Sequence, residues 1–136
     1  MTDPARLLAA AVAARGGAYA PYSKFTVGAA LSDRDGNVWT GANVENAAYG
    51  LSMCAERTAV FHAVSTSGAR AFDAVAVAGP DGTTTLPCGA CRQVLWEFGP
   101  EMVVIYADGG AVMQTPLAQL LPRAFGPAQL TEAQNR

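Results

Sequence analysis

The chain has 136 residues, of which 51% are hydrophobic and 15% charged, and its net charge is -2 at pH 7. This composition excludes a disordered chain, and nine scattered lysines and arginines argue against a nucleic-acid-binding surface. No apolar run approaches the ~20 residues of a membrane span. Asp3 and Pro4 replace the basic leader of a signal peptide, so the alanine-rich start favours an amphipathic helix. We expect one cytoplasmic domain over residues 1–136.

The first half of the chain predicts a helix and then a hairpin. Thr2 or Asp3 can cap the helix, and the glycine pair that begins at Gly16 ends it. Strands are predicted over residues 25–31 and 38–44, with a turn over residues 33–37 between them. The two strands are therefore expected to pair as neighbours in a sheet.

The second half alternates helices with short apolar runs. Its predicted elements, in chain order, are a helix at 54–64, a buried strand at 74–78, a helix at 88–98, a buried strand at 103–106, an apolar stretch at 111–113, a short helix at 116–121 and a polar tail. The link over residues 108–110 is so short that it can join antiparallel strands but not parallel ones. The pattern indicates an α/β domain with one mixed sheet and helices on its faces.

All three cysteines fall in two short motifs. Cys54 opens the sequence Cys-Ala-Glu-Arg, and Cys88 with Cys91 forms a C-x-x-C pair. A C-x-x-C pair alone would also suit a redox site or half of a structural zinc site, but a structural site needs four protein ligands. Three thiols instead suit a tetrahedral zinc ion whose fourth position is open, which is the mark of a catalytic site. The odd number of thiols also fits a reducing compartment.

Charged residues beside these motifs are candidates for the chemistry. Each motif lies at the start of a predicted helix, where the helix dipole would offset the negative charge of three thiolates. Glu56 follows Cys54 by two residues, so it would lie near the metal without binding it and could exchange protons with a zinc-bound water. Arg57 and Arg92 are candidates to donate hydrogen bonds to the sulfurs.

At these residues the chain resembles a known superfamily. Cys54-Ala55-Glu56 followed by Pro87-Cys88-x-x-Cys91 resembles the zinc signature of cytidine and deoxycytidylate deaminases, in its three-cysteine form; zinc nucleobase deaminases are a documented case of this chemistry. Residues 25–31 and 41–49 resemble the nucleoside-binding segments of small homotetrameric cytidine deaminases. The resemblance spans about residues 5–125. It implies a three-layer fold with a five-stranded mixed sheet, helices on both faces and an antiparallel last pair of strands.

The resemblance also implies an activity and a set of site residues. The expected enzyme is a homotetramer with one Zn²⁺ per chain that hydrolyses cytidine and deoxycytidine to uridine and deoxyuridine, releasing ammonia in pyrimidine salvage. Glu56 would be the proton shuttle that deprotonates a zinc-bound water, so that zinc-bound hydroxide can attack. The residues expected to contact the nucleoside are Phe25 on the pyrimidine ring, Asn43 and Glu45 on the ribose, the Ala55 backbone on the base, and Tyr49 and Phe125 from an adjacent subunit.

Three other functions remain open at this point. A deaminase acting on polynucleotides commonly carries a basic groove, whereas this chain is acidic and short. A blasticidin S-type or other small aminopyrimidine deaminase would share the cysteine motif, although Phe25 and residues 43–46 look more like the cytidine enzymes. A zinc-binding interaction module would hold the metal without turning over any substrate.

Overall fold

A five-stranded mixed sheet forms the middle layer of the computed structural model, which describes residues 2–135. The strands are β1 (Gly28–Ser32), β2 (Val38–Ala42), β3 (Ala74–Ala78), β4 (Val103–Asp108) and β5 (Ala111–Pro116). Their order across the sheet is β2-β1-β3-β4-β5. β3 and β4 are parallel, and every other neighbouring pair is antiparallel. The predicted mixed sheet and its antiparallel ending are confirmed.

Helices cover both faces of this sheet. They are α1 (Pro4–Ala14), α2 (Ala55–Ser67), α3 (Gly89–Phe98), α4 (Leu117–Leu120) and α5 (Pro127–Gln134). Helix α1 begins as the sequence predicts, because the Asp3 carboxylate accepts a hydrogen bond from the backbone N–H of Arg6 at 3.1 Å. Within residues 2–135, no helix combines the length and the apolar character needed to cross a membrane.

The alternation of side chains along β3 separates two apolar cores. Val75 and Val77 face the layer that contains α2 and α3, where Val60 and Leu95 are fully buried. The alanines of β3 face α1 on the other side of the sheet and pack against its buried residues, Leu7, Leu8 and Ala11. Because successive strand residues point to opposite faces, one apolar strand supports both layers.

Helix α2 and strand β2 meet through their backbones at Gly41. A Cβ atom at this position would lie 2.5 Å from the backbone nitrogen of Ala59 and 2.7 Å from the carbonyl oxygen of Ala55. Both distances are far inside van der Waals contact, so only glycine allows this approach. The contact fixes where the N-terminal half of α2 lies relative to the sheet.

Several predicted boundaries differ from the structure; β2, for example, ends at Ala42 rather than at residue 44. Strand β1 begins at Gly28 rather than at residue 25, because the Asn43 side chain takes the place of a neighbouring strand. Its Oδ1 accepts from the Val27 N–H and its Nδ2 donates to the Phe25 carbonyl, both at 2.8 Å. Helix α5 lies in the segment that the sequence predicted as a polar tail. It has no buried residue, so no hydrophobic periodicity marks it.

Candidate active site and metal centre

The three thiols meet where two helices begin. Cys54 is the N-cap residue of α2, Cys88 is the N-cap residue of α3, and Cys91 lies in the first turn of α3. The three Sγ atoms lie within 4.8 Å of one another, and those of Cys54 and Cys88 are 3.8 Å apart. Residues 34 positions apart in the sequence thus form one cluster at two helix N-termini.

The geometry of this cluster fits a zinc ion. Two sulfur ligands at about 2.3 Å from a tetrahedral ion lie about 3.8 Å apart, which agrees with the separation of the Cys54 and Cys88 sulfurs. Three protein ligands leave the fourth position of such an ion open. The single histidine, His62, lies elsewhere and has its Nδ1 atom 3.3 Å from the carbonyl oxygen of Thr40. The residues present therefore suit one catalytic rather than structural zinc per chain.

Arg57 stabilises negative charge on the cluster. Its Nη2 donates to the Cys54 Sγ at 3.4 Å, as the sequence predicted. The Cys91 thiol, together with Arg57, lowers the pKa of Cys54 to about 5, while the same contact with Cys54 and burial raise the pKa of Cys91. The Arg57 Nε is buried and has no hydrogen-bond partner among residues 2–135. The Arg57 contact thus favours the thiolate form of Cys54, and thiolate is the form that binds metal.

Arg92 has a different role from the one expected. We expected its guanidinium to donate to sulfur, but its Nε donates to the Pro87 carbonyl at 2.7 Å and its Nη1 to the Leu120 carbonyl at 3.0 Å. Arg92 therefore supports the backbone that carries Cys88 and ties α3 to the end of α4. The expectation placed Arg92 beside the right motif but assigned it the wrong acceptor, because a sequence does not show which way a long side chain turns.

Glu56 is a buried carboxyl group in the first turn of α2. The residue is 4% exposed, and burial, as the largest cause, raises its pKa to about 7. The charge of the nearby Cys54 acts in the same direction. A carboxyl group with a pKa in this range can both accept and give up a proton near neutral pH.

A cavity of about 370 Å³ opens in front of the cluster. It is lined by five of the predicted substrate and catalytic residues, namely Phe25, Asn43, Glu45, Ala55 and Glu56, together with the ligands Cys54 and Cys88. Phe25 is 42% exposed, which leaves its ring available to a ligand. The volume lies within the range of small-molecule sites.

Ser23 also lines this cavity, and the sequence analysis did not single it out. Its hydroxyl donates a short hydrogen bond to the Glu45 Oε2, and its backbone N–H donates to the Glu45 Oε1 at 3.1 Å. These donors, with the Tyr22 N–H, hold the pKa of Glu45 below its ordinary value. No periodicity or motif pairs a loop serine with a glutamate 22 residues away, so only the fold reveals the contact.

Tyr49 and Phe125 lie outside the cavity in front of the thiols. Tyr49 is 74% exposed and packs its ring 5.9 Å from that of Tyr22, beside a shallow depression that reaches Glu45. Phe125 is 58% exposed, and its carbonyl accepts from the Gln93 Nε2 at 2.8 Å. A single chain therefore brings together the predicted zinc ligands, Glu56 and four substrate residues, but leaves these two aromatic rings facing outward.

A larger cavity, of about 680 Å³, lies at the opposite ends of α2 and α3. Its charged lining residues are Asp33, Arg34, Asp35, Arg70, Asp73 and Glu101. It contains no thiol, and none of the residues predicted for catalysis or binding lines it.

The chain is similar to known proteins over most of its length. The sequence model described as the cytidine and deoxycytidylate deaminase zinc-binding region matches residues 1–107. A cytidine deaminase from Sporosarcina psychrophila is 47% identical over 133 residues, covering 96% of this chain and 97% of the relative. The crystal structure of cytidine deaminase from Burkholderia pseudomallei is 52% identical and has a TM-score of 0.84 over 92% of this chain and 100% of that one. That from Mycobacterium tuberculosis is 44% identical, with a TM-score of 0.82 over 93% and 99%.

Proposed function

This chain belongs to the cytidine and deoxycytidylate deaminase family, and we propose that it hydrolyses cytidine and deoxycytidine to uridine and deoxyuridine with release of ammonia. One observation carries the proposal. A buried carboxyl group, Glu56, and three clustered thiols border the same small-molecule cavity. A water nucleophile, a proton carrier and a substrate can therefore meet at one place, which hydrolytic deamination requires.

In the proposed reaction, the three thiols form the zinc site. Cys54, Cys88 and Cys91 would hold one zinc ion. Zinc supplies Lewis acidity, which brings the pKa of a water molecule toward neutrality. Arg57 and the N-termini of α2 and α3 offset the negative charge of three thiolates, so that the ligands do not cancel this acidity.

Glu56 moves the protons. Its carboxylate accepts a proton from the attacking water and delivers it to the ring nitrogen next to the amine-bearing carbon, while the water oxygen forms a bond to that carbon. It then accepts the second water proton and gives it to the amino group, whose bond to carbon breaks to release ammonia. The carboxylate ends in its starting state, and the two protons and one oxygen of water are accounted for in uridine and ammonia.

We assign the nucleoside contacts to residues that line the cavity. Phe25 would pack on the pyrimidine ring, and the backbone of Ala55 would meet the base edge. Asn43 and Glu45 would bind ribose hydroxyls. Because the Asn43 amide already has one backbone partner on each polar atom, one N–H and one lone pair remain for the sugar.

We also propose a homotetramer in which Phe125 and Tyr49 close the pocket of an adjacent subunit. Their rings are 58% and 74% exposed, and Leu51 beside Tyr49 is 71% exposed, so a partner surface would cover large apolar side chains. Light scattering tests the assembly, and a monomer at working concentration would contradict it. A chain truncated before Phe125 should still assemble but show a raised KM, whereas an unchanged KM would confine Phe125 to packing.

The proposed setting is pyrimidine salvage in the cytoplasm by a single domain over residues 1–136. Three free thiols that serve as metal ligands need a reducing compartment. Both helix layers pack on the same sheet, which supports the interpretation that the chain forms a single domain.

A spectrophotometric assay of the zinc-loaded protein with cytidine tests the reaction. We expect cytidine to be consumed with one ammonia released per uridine formed. Full zinc occupancy without turnover would instead identify a non-catalytic zinc-binding module. Turnover of blasticidin S or of free cytosine at the same kcat/KM as cytidine would contradict the assignment of the ribose contacts.

A further inference from the structure

The turn before β1 wraps its backbone around the Glu45 carboxylate. The N–H groups of Tyr22 and Ser23 donate to the Glu45 Oε1 at 3.0 and 3.1 Å. The turn is closed by the Lys24 N–H, which donates to the Ala20 carbonyl at 3.0 Å. Lys24 adopts a φ of 61°, a left-handed conformation that is unfavourable for a residue with a side chain. The turn therefore contains an energetically unfavourable backbone conformation, and two of its N–H groups point at one carboxylate oxygen.

The Ser23 hydroxyl joins this turn to the ring-binding side of the cavity. It donates to the Glu45 Oε2 and accepts from the Phe25 N–H at 3.0 Å. A hydroxyl has a single proton to donate, and here that proton points at Glu45. One small side chain thus bonds both to the proposed ribose-binding residue and to the backbone of the proposed ring-packing residue.

The three hydrogen bonds that Glu45 accepts within the protein limit how many it can accept from a ligand. A carboxylate has about four acceptor positions, two on each oxygen. Two backbone N–H groups occupy both positions of Oε1, and the Ser23 hydroxyl occupies one of the two on Oε2. One acceptor position on Oε2 therefore remains for a ligand hydroxyl, and its direction depends on the Ser23 contact.

We propose that Ser23 is a positioning residue, which aims the remaining acceptor position of Glu45 into the cavity. The proposal rests on the nucleoside deaminase function proposed above and extends it to a residue that no motif identifies. Because Ser23 acts on binding of the sugar through Glu45 rather than on proton transfer, its loss should appear in KM and leave kcat nearly unchanged.

The test compares two variants of matched shape, Ser23→Thr and Ser23→Val, with cytidine as substrate. Threonine keeps the hydroxyl and valine replaces it by a methyl group. We expect Ser23→Thr to stay within about twofold of the wild type, and Ser23→Val to raise KM roughly tenfold with kcat within about twofold, since a hydrogen bond to a charged group is lost. Ser23→Ala provides the same loss without a branched side chain if the valine variant folds poorly. Ser65→Ala, at an exposed serine on α2 that donates to its own helix, serves as the control.

A double-mutant cycle with Glu45→Ala separates positioning from a general effect on the turn. If Ser23 acts through Glu45, the valine substitution should add less than about twofold to KM in the Glu45→Ala background. An additive tenfold effect in that background, an unchanged KM in Ser23→Val, or a loss confined to kcat would each overturn the proposal. A wild-type chain that leaves cytidine unconverted would overturn the proposed function itself, whereas an active wild type with an unaffected Ser23→Val overturns only the role of Ser23.

Discussion

Helices α2 and α3 border a cavity at each of their ends, and the two cavities differ in both size and chemistry. The cavity at the C-terminal ends is larger, about 680 Å³ against about 370 Å³. Its acidic residues lie near the negative ends of the two helix dipoles, so neither source of charge stabilises an anion there. The smaller cavity lies at the N-terminal ends, where backbone N–H groups and the helix dipoles favour thiolates.

This contrast shows why cavity size does not identify the reactive end. Cys54 and Cys88 occupy the N-cap positions themselves, and Glu56 lies in the first turn, so each reactive group is held by a rigid helix end. The far cavity is lined by loop residues such as Arg34 and Glu101 that solvent can reach. The direction of two helices, rather than the volume between them, determines where hydrolytic chemistry can occur.

The largest expected effect comes from removing a thiol at the N-terminal end. Cys88→Ala should lose bound zinc and reduce cytidine turnover to the assay background, because two thiols do not complete a catalytic zinc site. Elemental analysis of the purified variant measures the first effect, and the ammonia assay measures the second. A Cys88→Ala protein with full zinc occupancy and activity would rule out the three-thiol centre.

Removing the proton carrier should have the next largest effect. Glu56→Gln keeps the shape of the side chain but cannot shuttle protons, so kcat should fall by at least ~10²–10⁴-fold. Zinc content should remain at one ion per chain, because Glu56 is not among the predicted ligands. Steady-state kinetics and elemental analysis on the same preparation test both statements, and a nearly wild-type kcat would eliminate the proposed proton route.

A smaller effect is expected from removing the positive charge of Arg57 beside the Cys54 sulfur. Arg57→Gln removes the donor to the Cys54 sulfur and should weaken zinc binding by about 10–100-fold, the usual range for residues that support metal ligands. Competition with a chelator measures this affinity. Arg34→Gln, which makes the same change at the far cavity, is the matched control. Equal zinc affinities in the two variants would show that the Arg57 contact does not support the site.

The smallest effect is expected at the far cavity. Glu101→Gln makes the same chemical change as Glu56→Gln, but at the C-terminal ends of α2 and α3. We expect kcat and KM for cytidine to stay within about twofold of the wild type, as for most surface substitutions. A loss of turnover comparable to that of Glu56→Gln would mean that the larger cavity takes part in catalysis, which would break the contrast between the two ends.

Elements with a strong local pattern could be predicted from the sequence. Strand β3 has the predicted bounds, because five apolar residues are flanked by Asp73 and Gly79 and all five are buried. The zinc cluster was also predictable, since each half of it lies within a few residues of a helix start. Hydrophobic spacing and flanking polar residues are sufficient for β3, whereas the zinc cluster is recognised from two short cysteine motifs that the fold brings together.

Features that depend on distant side chains could not be predicted. The Asn43 amide ends the pairing of β1 at Gly28 by binding the backbone 16 and 18 residues away. Ser23 became a candidate only when the fold placed it on Glu45. Arg92 was expected near sulfur because of its position in the motif, but two carbonyl groups proved to be its acceptors. In each case a polar side chain has several acceptors within reach, and tertiary structure selects among them.

The backbone contact at Gly41 has a consequence for redesign of the pocket. Asn43, which we propose binds the sugar, follows Gly41 by two residues. Ala55 begins the helix that carries Glu56, and its carbonyl oxygen would lie 2.7 Å from a Cβ atom at position 41. Any engineered side chain at position 41 would push α2 away from β2, and even alanine would do so. Substitution at position 41 therefore cannot gradually increase the distance between the proposed sugar-binding side and the catalytic side of the pocket. A pocket for bulkier nucleoside analogues would instead be opened at the Phe25 side chain, whose ring is exposed.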